Sequence, residues 1–183
     1  MSRTGVTLYI ATSVDGYIAD AEGGVGWLDE FGEESGDDAS GAGFAGFFET
    51  VDCLVIGATT YEQVRGFGEW LYGDTPTYVF THRDLPRATE AVEFVAGDPA
   101  AVVAELRDQY DHVWLVGGAA LAQSFLRVRE VDTLRLSLVP VLLGDGIPLF
   151  AGEYDRQRLR LRDTTTHGSG IVEHHYEVLG GED

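Results

Sequence analysis

Lysine is absent from this chain. All twelve basic residues are arginine, against 31 acidic residues, and the formal net charge is −19. Without lysine the protein can use neither Schiff-base chemistry nor the lysine of a phosphate-binding P-loop. We do not expect nucleic-acid binding, because proteins that contact a phosphate backbone carry basic patches. Any anion must be held by arginine, hydroxyl groups or backbone N–H groups.

Cysteine and long apolar runs are also scarce. Cys53 is the single cysteine, so no intramolecular disulfide can form, which fits a reducing compartment. The longest apolar runs, such as residues 138–143, fall far short of the roughly 20 residues needed to cross a bilayer. The N-terminal residues lack the basic region and cleavage site of a signal peptide. We therefore expect a cytoplasmic protein that neither spans a membrane nor is secreted.

Histidine is present, but its spacing does not favour metal binding. His174 and His175 are adjacent on a predicted strand, so their side chains point to opposite faces of the sheet. A serine hydrolase is not expected either, since the chain has no GxSxG motif. Cys53 lies in an apolar strand and is expected to be part of the core. We expect no metal site.

The apolar pattern alternates between strand-like and helix-like periods. It predicts strands near residues 6–11, 53–57, 77–81, 92–95, 113–116, 134–138, 159–162 and 171–179, and helices near 44–51, 59–64, 99–110 and 121–128. The acidic, glycine-rich stretch 22–43 predicts a mobile loop. Polar residues alternate along the strand at 134–138, which predicts a solvated or edge face. We predict one α/β domain over 1–183: a mainly parallel sheet, helices on both faces and an antiparallel C-terminal edge.

Three polar or glycine-rich segments each follow a predicted strand. They are Gly57-Ala58-Thr59-Thr60, Thr81-His82-Arg83 and Gly117-Gly118-Ala119-Ala120. Ligands bind at the carboxyl ends of strands in such a sheet, and a helix N-terminus preceded by glycine offers N–H groups to a pyrophosphate. Together they predict a dinucleotide site. Each glycine alone is equally explained by a tight turn, and the chain lacks the GxGxxG fingerprint.

Several other residues are candidates for contacts with a ligand. Arg83 is a candidate for the ribose 2′-phosphate of NADPH, with a plain surface charge as the alternative. Asp15 lies in an Asp-Gly turn and either contacts ribose or substrate or only shapes the turn. Trp27, with the acids Asp29 and Glu30, either forms a flap that stacks on a heterocycle and accepts its N–H groups, or anchors a loop with solvated acids.

Several motifs resemble those of dihydrofolate-reductase-like enzymes. Residues 57–62 look like the Gly-Arg-x-Thr-Trp-Glu segment of dihydrofolate reductase, and residues 116–121 resemble the glycine pair that receives the NADPH pyrophosphate. Residues 131–136 and 139–146, and the stretch 11–19 with its Ser-Val-Asp-Gly core, are similar to the RibD C-terminal domain, the reductase of riboflavin biosynthesis. The resemblance covers nearly the whole chain, which is identified as a stand-alone member of that group.

The resemblance implies a dihydrofolate-reductase-like fold, NADPH as the cofactor, hydride transfer to a small heterocycle, and a homodimer. By family position, Ala11 and Thr12 flank the nicotinamide, Thr59 and Thr60 meet the phosphates, and Thr81, His82 and Arg83 meet the adenosine end. The pyrophosphate segment comprises Val116, Gly117, Gly118, Ala119, Ala120 and Leu121, beside Gly57. Asp15, Trp27 and Asp29 are the candidate catalytic residues.

Departures from the pattern concern the substrate. Tyr9 and Tyr17 stand where RibD reductase domains usually carry Lys and Arg or a similar polar residue, and those cations serve a phosphoribosyl substrate. Ala58 replaces a phosphate-binding Arg of dihydrofolate reductase, and no carboxylate lies clearly on the helix at residues 44–48, where the pterin-binding acid is expected. The substrate stays open between 5-amino-6-(5-phosphoribosylamino)uracil and a pterin or dihydrofolate. The alternatives are an accessory, weak dihydrofolate reductase and a non-catalytic NADP-binding protein.

Overall fold

A computed structural model describes residues 5–32 and 41–180 of the 183-residue chain. The helices are α1 (Asp29–Gly32), α2 (Gly41–Phe48), α3 (Ala58–Gly66), α4 (Pro99–Arg107) and α5 (Ala119–Arg127), with a 3-10 turn at Gly26–Leu28. The strands are β1 (Gly5–Ser13), β2 (Tyr17–Ala19), β3 (Cys53–Gly57), β4 (Thr77–Phe80), β5 (Val92–Val95), β6 (His112–Gly117), β7 (Thr133–Val139), β8 (Ile147–Pro148), β9 (Arg158–Thr166) and β10 (Val172–Leu179).

Eight strands form one sheet in the order β5-β4-β3-β6-β1-β7-β10-β9. β1 lies between β6 and β7 and is parallel to both, whereas β10 runs antiparallel to β7 and β9 antiparallel to β10. The predicted parallel sheet with an antiparallel C-terminal edge is confirmed. The predicted edge face of β7 is wrong, because β7 lies inside the sheet. Its polar residues Arg135 and Ser137 are half-buried instead.

Strand β3 shows how the sheet separates two cores. Its side chains alternate in direction, as in any strand. Cys53 and Val55 pack with residues of α4 and α5, and Leu54 and Ile56 pack with residues of α2 and α3. Helices therefore cover both faces, as predicted. Burial raises the pKa of the Cys53 thiol to about 12, so this cysteine is a core residue, as expected.

The predicted loop over residues 22–43 holds for residues 22–25, which form no helix or strand, and is wrong for 26–32 and 41–43. Residues 26–32 form a 3-10 turn followed by α1, and α2 begins at Gly41; residues 33–40 lie outside the described residues. Glycine has a low intrinsic helix propensity, which favoured a loop over this stretch. Tertiary packing overrides that propensity in α2, where the Phe47 ring lies edge-on to Trp114 with 5.7 Å between ring centroids.

The helices in the described ranges have at most nine residues. None of them is long and apolar enough to cross a membrane. Helix α4 begins where the sequence predicts it: Asp98 is the N-cap, its Oδ1 accepts a hydrogen bond from the Ala100 N–H, and Pro99 follows as the first helical residue.

Tyr61 of α3 is fully buried and fastens the segment that follows β4. Its hydroxyl donates to the Pro86 carbonyl at 2.9 Å and accepts from the Ala88 N–H at 2.8 Å. The substitution Tyr61→Phe removes both hydrogen bonds. We therefore expect the free energy of unfolding, measured with urea, to fall by about 1–3 kcal/mol. Tyr154→Phe is the matched control, because its hydroxyl bonds to no other residue within 5–32 and 41–180. Equal urea midpoints for both variants would contradict this role of Tyr61.

Candidate functional site

A cavity of about 590 Å³ opens at the carboxyl ends of β1, β3 and β6. Its volume lies in the range of small-molecule sites. We call it the first cavity, and none of its lining residues among those described carries a charge. Its lining is Ile10, Ala11, Ile18, Ala19, Gly23, Val25, Leu28, Gly57, Ala58, Thr59, Thr60, Gln63, Phe80, Val116, Gly118, Ala119, Ala120, Leu121, Ser124 and Ile147.

Two helices begin at the wall of this cavity. Gly57 is the N-cap of α3 and Gly118 the N-cap of α5, and neither is capped by a side chain. Their first N–H groups therefore remain available to a ligand, and the positive ends of two helix dipoles lie together. A Cβ at Gly118 would lie 3.0 Å from Thr60 Oγ1, so glycine keeps the space between the helices open. The arrangement suits a pyrophosphate.

The structure brings most of the predicted cofactor residues together and leaves a few outside. Ala11, Gly57, Thr59, Thr60, Val116, Gly118, Ala119, Ala120 and Leu121 line the first cavity; Thr12, Thr81, His82, Arg83 and Gly117 do not. Thr12 is buried. Gly117 has φ +118°, and its peptide bond to Gly118 is cis. Phe80, just before Thr81, does line the cavity, so the segment Thr81-His82-Arg83 lies at its border.

Arg83 is paired with an acid of α3. Its Nη2 donates to Glu62 Oε2 at 2.5 Å and its Nη1 to Oε1 at 3.3 Å. The side chain of Arg83 is 54% exposed, so a ligand in solvent can reach the guanidinium. Glu62 occupies two of the five guanidinium donors, and its charge opposes a second anion there.

Asp15 lies outside the lining of the first cavity. One carboxylate oxygen accepts from the Ser13 hydroxyl at 2.6 Å and the Leu143 N–H at 3.1 Å, and the other accepts from the Gly144 N–H at 2.8 Å. These bonds, with Ser13 first, lower the pKa of the exposed Asp15 carboxyl below its ordinary value. The carboxylate therefore ties the turn after β1 to the segment that leads into β8.

The 3-10 turn directs Leu28, rather than its neighbours, into the cavity wall. Trp27 and Asp29 do not line it, and Asp29 and Glu30 are exposed. The indole Nε1 of Trp27 is buried and bonds to no other residue in the described part of the chain.

Much of the apolar wall comes from a small sheet that the sequence did not reveal. Ile18 and Ala19 of β2 and Ile147 of β8 line the first cavity, and β2 pairs antiparallel with β8. Strands of two and three residues leave no periodic signal. The residue that could have indicated this sheet is Gly146. Its φ is +154°, and a Cβ there would lie 2.2 Å from the Ala19 carbonyl oxygen, so only glycine allows the two segments to approach this closely.

A second cavity of about 380 Å³ adjoins the first and shares Ile10, Ala11 and Leu28 with it. Aromatic and apolar residues form most of this second cavity, together with a few polar groups. Its lining is Tyr9, Ile10, Ala11, Leu28, Phe31, Phe44, Trp114, Ser137, Val139, His167, Ile171 and Glu173. Among described residues no group of three or more His, Cys, Asp or Glu is placed to hold a metal ion.

The polar centre of the second cavity joins three strands. Tyr9 of β1 donates from its hydroxyl to Glu173 Oε2 of β10 at 2.5 Å, and Arg135 of β7 pairs with Glu173 Oε1. Burial, followed by the contact with Glu173, raises the pKa of Tyr9 to about 12. Glu173 could not be predicted from the sequence, because its place beside β7 depends on the register of an antiparallel edge, which a single sequence does not define.

Comparisons with known proteins identify the family. The family model described as the RibD C-terminal domain matches residues 4–173. A Bacillus subtilis (strain 168) relative, uncharacterized protein YwjB, is 36% identical over 170 residues, which is 92% of this chain and 95% of the relative.

Solved structures give the same fold. A putative riboflavin biosynthesis protein from Shewanella sp. PV-4 is 27% identical with a TM-score of 0.86, covering 96% of this chain and 99% of that one. Dihydrofolate reductase from Enterococcus faecalis, complexed with NADP(H) and RAB-propyl, has a TM-score of 0.62 at 16% identity, covering 96% and 97%. The second likeness shows the fold alone. The family model matches most of the chain, and the fold is dihydrofolate-reductase-like. The chain therefore belongs to the RibD C-terminal domain family.

Proposed function

We propose that this protein is an NADPH-dependent reductase that delivers hydride to a small heterocycle, either a pyrimidine or a pterin. The observation that carries the proposal is the shared wall of the two cavities. The first cavity holds a phosphate cradle between Gly57 and Gly118, and it shares Ile10, Ala11 and Leu28 with the second cavity. A cofactor and a substrate bound in these cavities would meet across that wall.

The residues of the first cavity fit a dinucleotide. The cradle between Gly57 and Gly118 suits the pyrophosphate, and Thr59 and Thr60 add hydroxyl groups beside it. Ala11 is small enough to let a flat nicotinamide ring approach the junction of the two cavities. NADPH, when bound, supplies the hydride; the protein contributes binding, orientation and exclusion of water.

The second cavity fits a flat ring better than a phosphorylated sugar. Phe44 and Trp114 form an aromatic wall, with 5.3 Å between ring centroids. Neither Arg nor Lys is among the described residues that line it. A phosphoribosyl group would find no counter-charge there, so this lining supports a phosphate-free substrate over 5-amino-6-(5-phosphoribosylamino)uracil.

Parallel fluorescence titrations with NADPH and NADH test the cofactor half of the proposal. We expect micromolar binding of NADPH and weaker binding of NADH. NADPH oxidation is then followed with dihydrofolate, other pterins and aminouracils, and is expected only when a heterocycle is added. Failure of both dinucleotides to bind would contradict the proposal, and binding without turnover of any heterocycle would favour a non-catalytic NADP-binding protein.

A further inference from the structure

The second cavity contains a buried charge that hydride transfer alone does not explain. Glu173 is 7% exposed and is the only charged residue in the buried core of the described ranges. Burying a carboxylate costs free energy that an apolar side chain would not, and a buried ion pair adds little net stability. Its place in the wall of a cavity suggests that it is kept for a ligand.

Glu173 is held rigidly by its neighbours. Its Oε1 accepts from Arg135 Nε at 3.1 Å and from Nη2 of the same guanidinium, and its Oε2 accepts from the Tyr9 hydroxyl. Arg135 is itself fixed over the rings of Tyr9 and Phe47, 4.7 and 5.2 Å from their centroids. A carboxylate has about four acceptor sites. Residues that the structure describes occupy three of them, which leaves one on Oε2.

Tyr9 provides a second acceptor beside the first. Its hydroxyl proton is directed to Glu173, and its raised pKa keeps the phenol neutral at physiological pH. A phenol oxygen has two lone pairs, so it can still accept a hydrogen bond while its proton is donated to Glu173. The polar centre therefore offers two adjacent acceptors, and both are best satisfied by N–H groups.

We propose that Glu173 and Tyr9 bind two adjacent N–H groups of the substrate, which is a planar heterocycle carrying an amino group beside a ring N–H, as in a 2-amino-4-oxopteridine. Arg135 is a positioning residue that fixes the carboxylate. This inference rests on the proposed function, since it takes the second cavity as the substrate site. Of the two substrates that the sequence left open, it favours a pterin or dihydrofolate over the phosphoribosyl compound.

A matched pair of ligands tests the inference on the unaltered protein. Pterin carries an amino group at C2, and lumazine has a carbonyl in its place on the same ring system. Quenching of intrinsic fluorescence gives both dissociation constants without turnover. We expect pterin to bind at least tenfold more tightly, because the carbonyl of lumazine would face acceptors. Equal binding, or tighter binding of lumazine, would overturn the proposal.

Variants then assign the preference to named groups. In Glu173→Gln we expect the ratio of the affinities for pterin and lumazine to fall to about one. Glu177→Gln, four residues further along β10, is the control, and we expect it to leave this affinity ratio unchanged. We expect Arg135→Gln to reduce the preference for pterin without removing it. A loss of stability alone would leave this preference unchanged. If Glu173→Gln does not fold because Arg135 is left unpaired, the double variant Glu173→Gln with Arg135→Gln removes both charges and is expected to give the same ratio.

NADPH titrations separate this inference from the proposed function. Glu173 does not line the first cavity, so Glu173→Gln is expected to bind NADPH as the unaltered protein does. Normal NADPH binding with no preference between the two pteridines would contradict the role of Glu173 alone. A clear pterin preference in a protein that binds no NADPH would contradict the reductase and leave the recognition by Glu173 and Tyr9 supported.

Discussion

Gly118→Asp is expected to weaken NADPH binding at least 100-fold, which corresponds to about 2.7 kcal/mol. A Cβ at this position lies 3.0 Å from Thr60 Oγ1, so even alanine would crowd the cradle. The aspartate adds a carboxylate at the N-termini of α3 and α5, where it would satisfy the helix N–H groups itself and repel the pyrophosphate. Both effects act in the same direction. The measurement is a fluorescence titration with NADPH.

The fold of the Gly118→Asp variant should survive, because an acid at a helix N-cap stabilises a helix. Gly66→Asp is the matched control: it introduces the same charge at an exposed glycine, where a Cβ would meet nothing within 4 Å. We expect its NADPH affinity to be unchanged, and circular dichroism should report folded protein for both variants. Normal NADPH binding by folded Gly118→Asp would show that the pyrophosphate lies elsewhere.

The architecture was predictable because the central strands are apolar on both faces. Strand β3 was predicted with its observed ends, Cys53–Gly57, since a buried parallel strand is a short apolar run between turns. The pattern could not place α1 and the start of α2, whose glycine-rich sequence favours a loop. Helix α2 forms because Phe47 packs into the core with residues from distant parts of the chain, such as Trp114.

One part of the candidate site could be predicted because it depends only on the order and direction of the parallel strands. Gly57 and Gly118 follow neighbouring parallel strands, so topology alone brings them to the same edge of the sheet. Glu173 and Arg135 could not be found this way. Their contact requires the antiparallel register of β10 on β7, in which Glu173 lies opposite Ser137, and a shift of one residue would turn Glu173 to the other face.

Arg83→Ala is expected to weaken NADPH binding about 10- to 40-fold and to change NADH binding little. A charge-assisted hydrogen bond contributes about 1.5–3 kcal/mol, and the exposure of Arg83 favours the lower half of that range. NADH lacks the 2′-phosphate, so it should not respond. Titrations with both dinucleotides measure the change, and Arg156→Ala, at another exposed arginine, controls for the loss of one positive charge.

Glu62 makes this prediction more specific. Since Glu62 binds both terminal nitrogens of Arg83, a 2′-phosphate must compete with it for the guanidinium. Glu62→Gln should therefore raise the affinity for NADPH severalfold while NADH stays the same, and the gain should shrink when Arg83→Ala is also present. Equal losses for both dinucleotides in Arg83→Ala, or no effect of Glu62→Gln, would mean that the pair only stabilises the border between α3 and the segment after β4. The selectivity for NADPH would then have to come from another arginine, from hydroxyl groups or from backbone N–H groups.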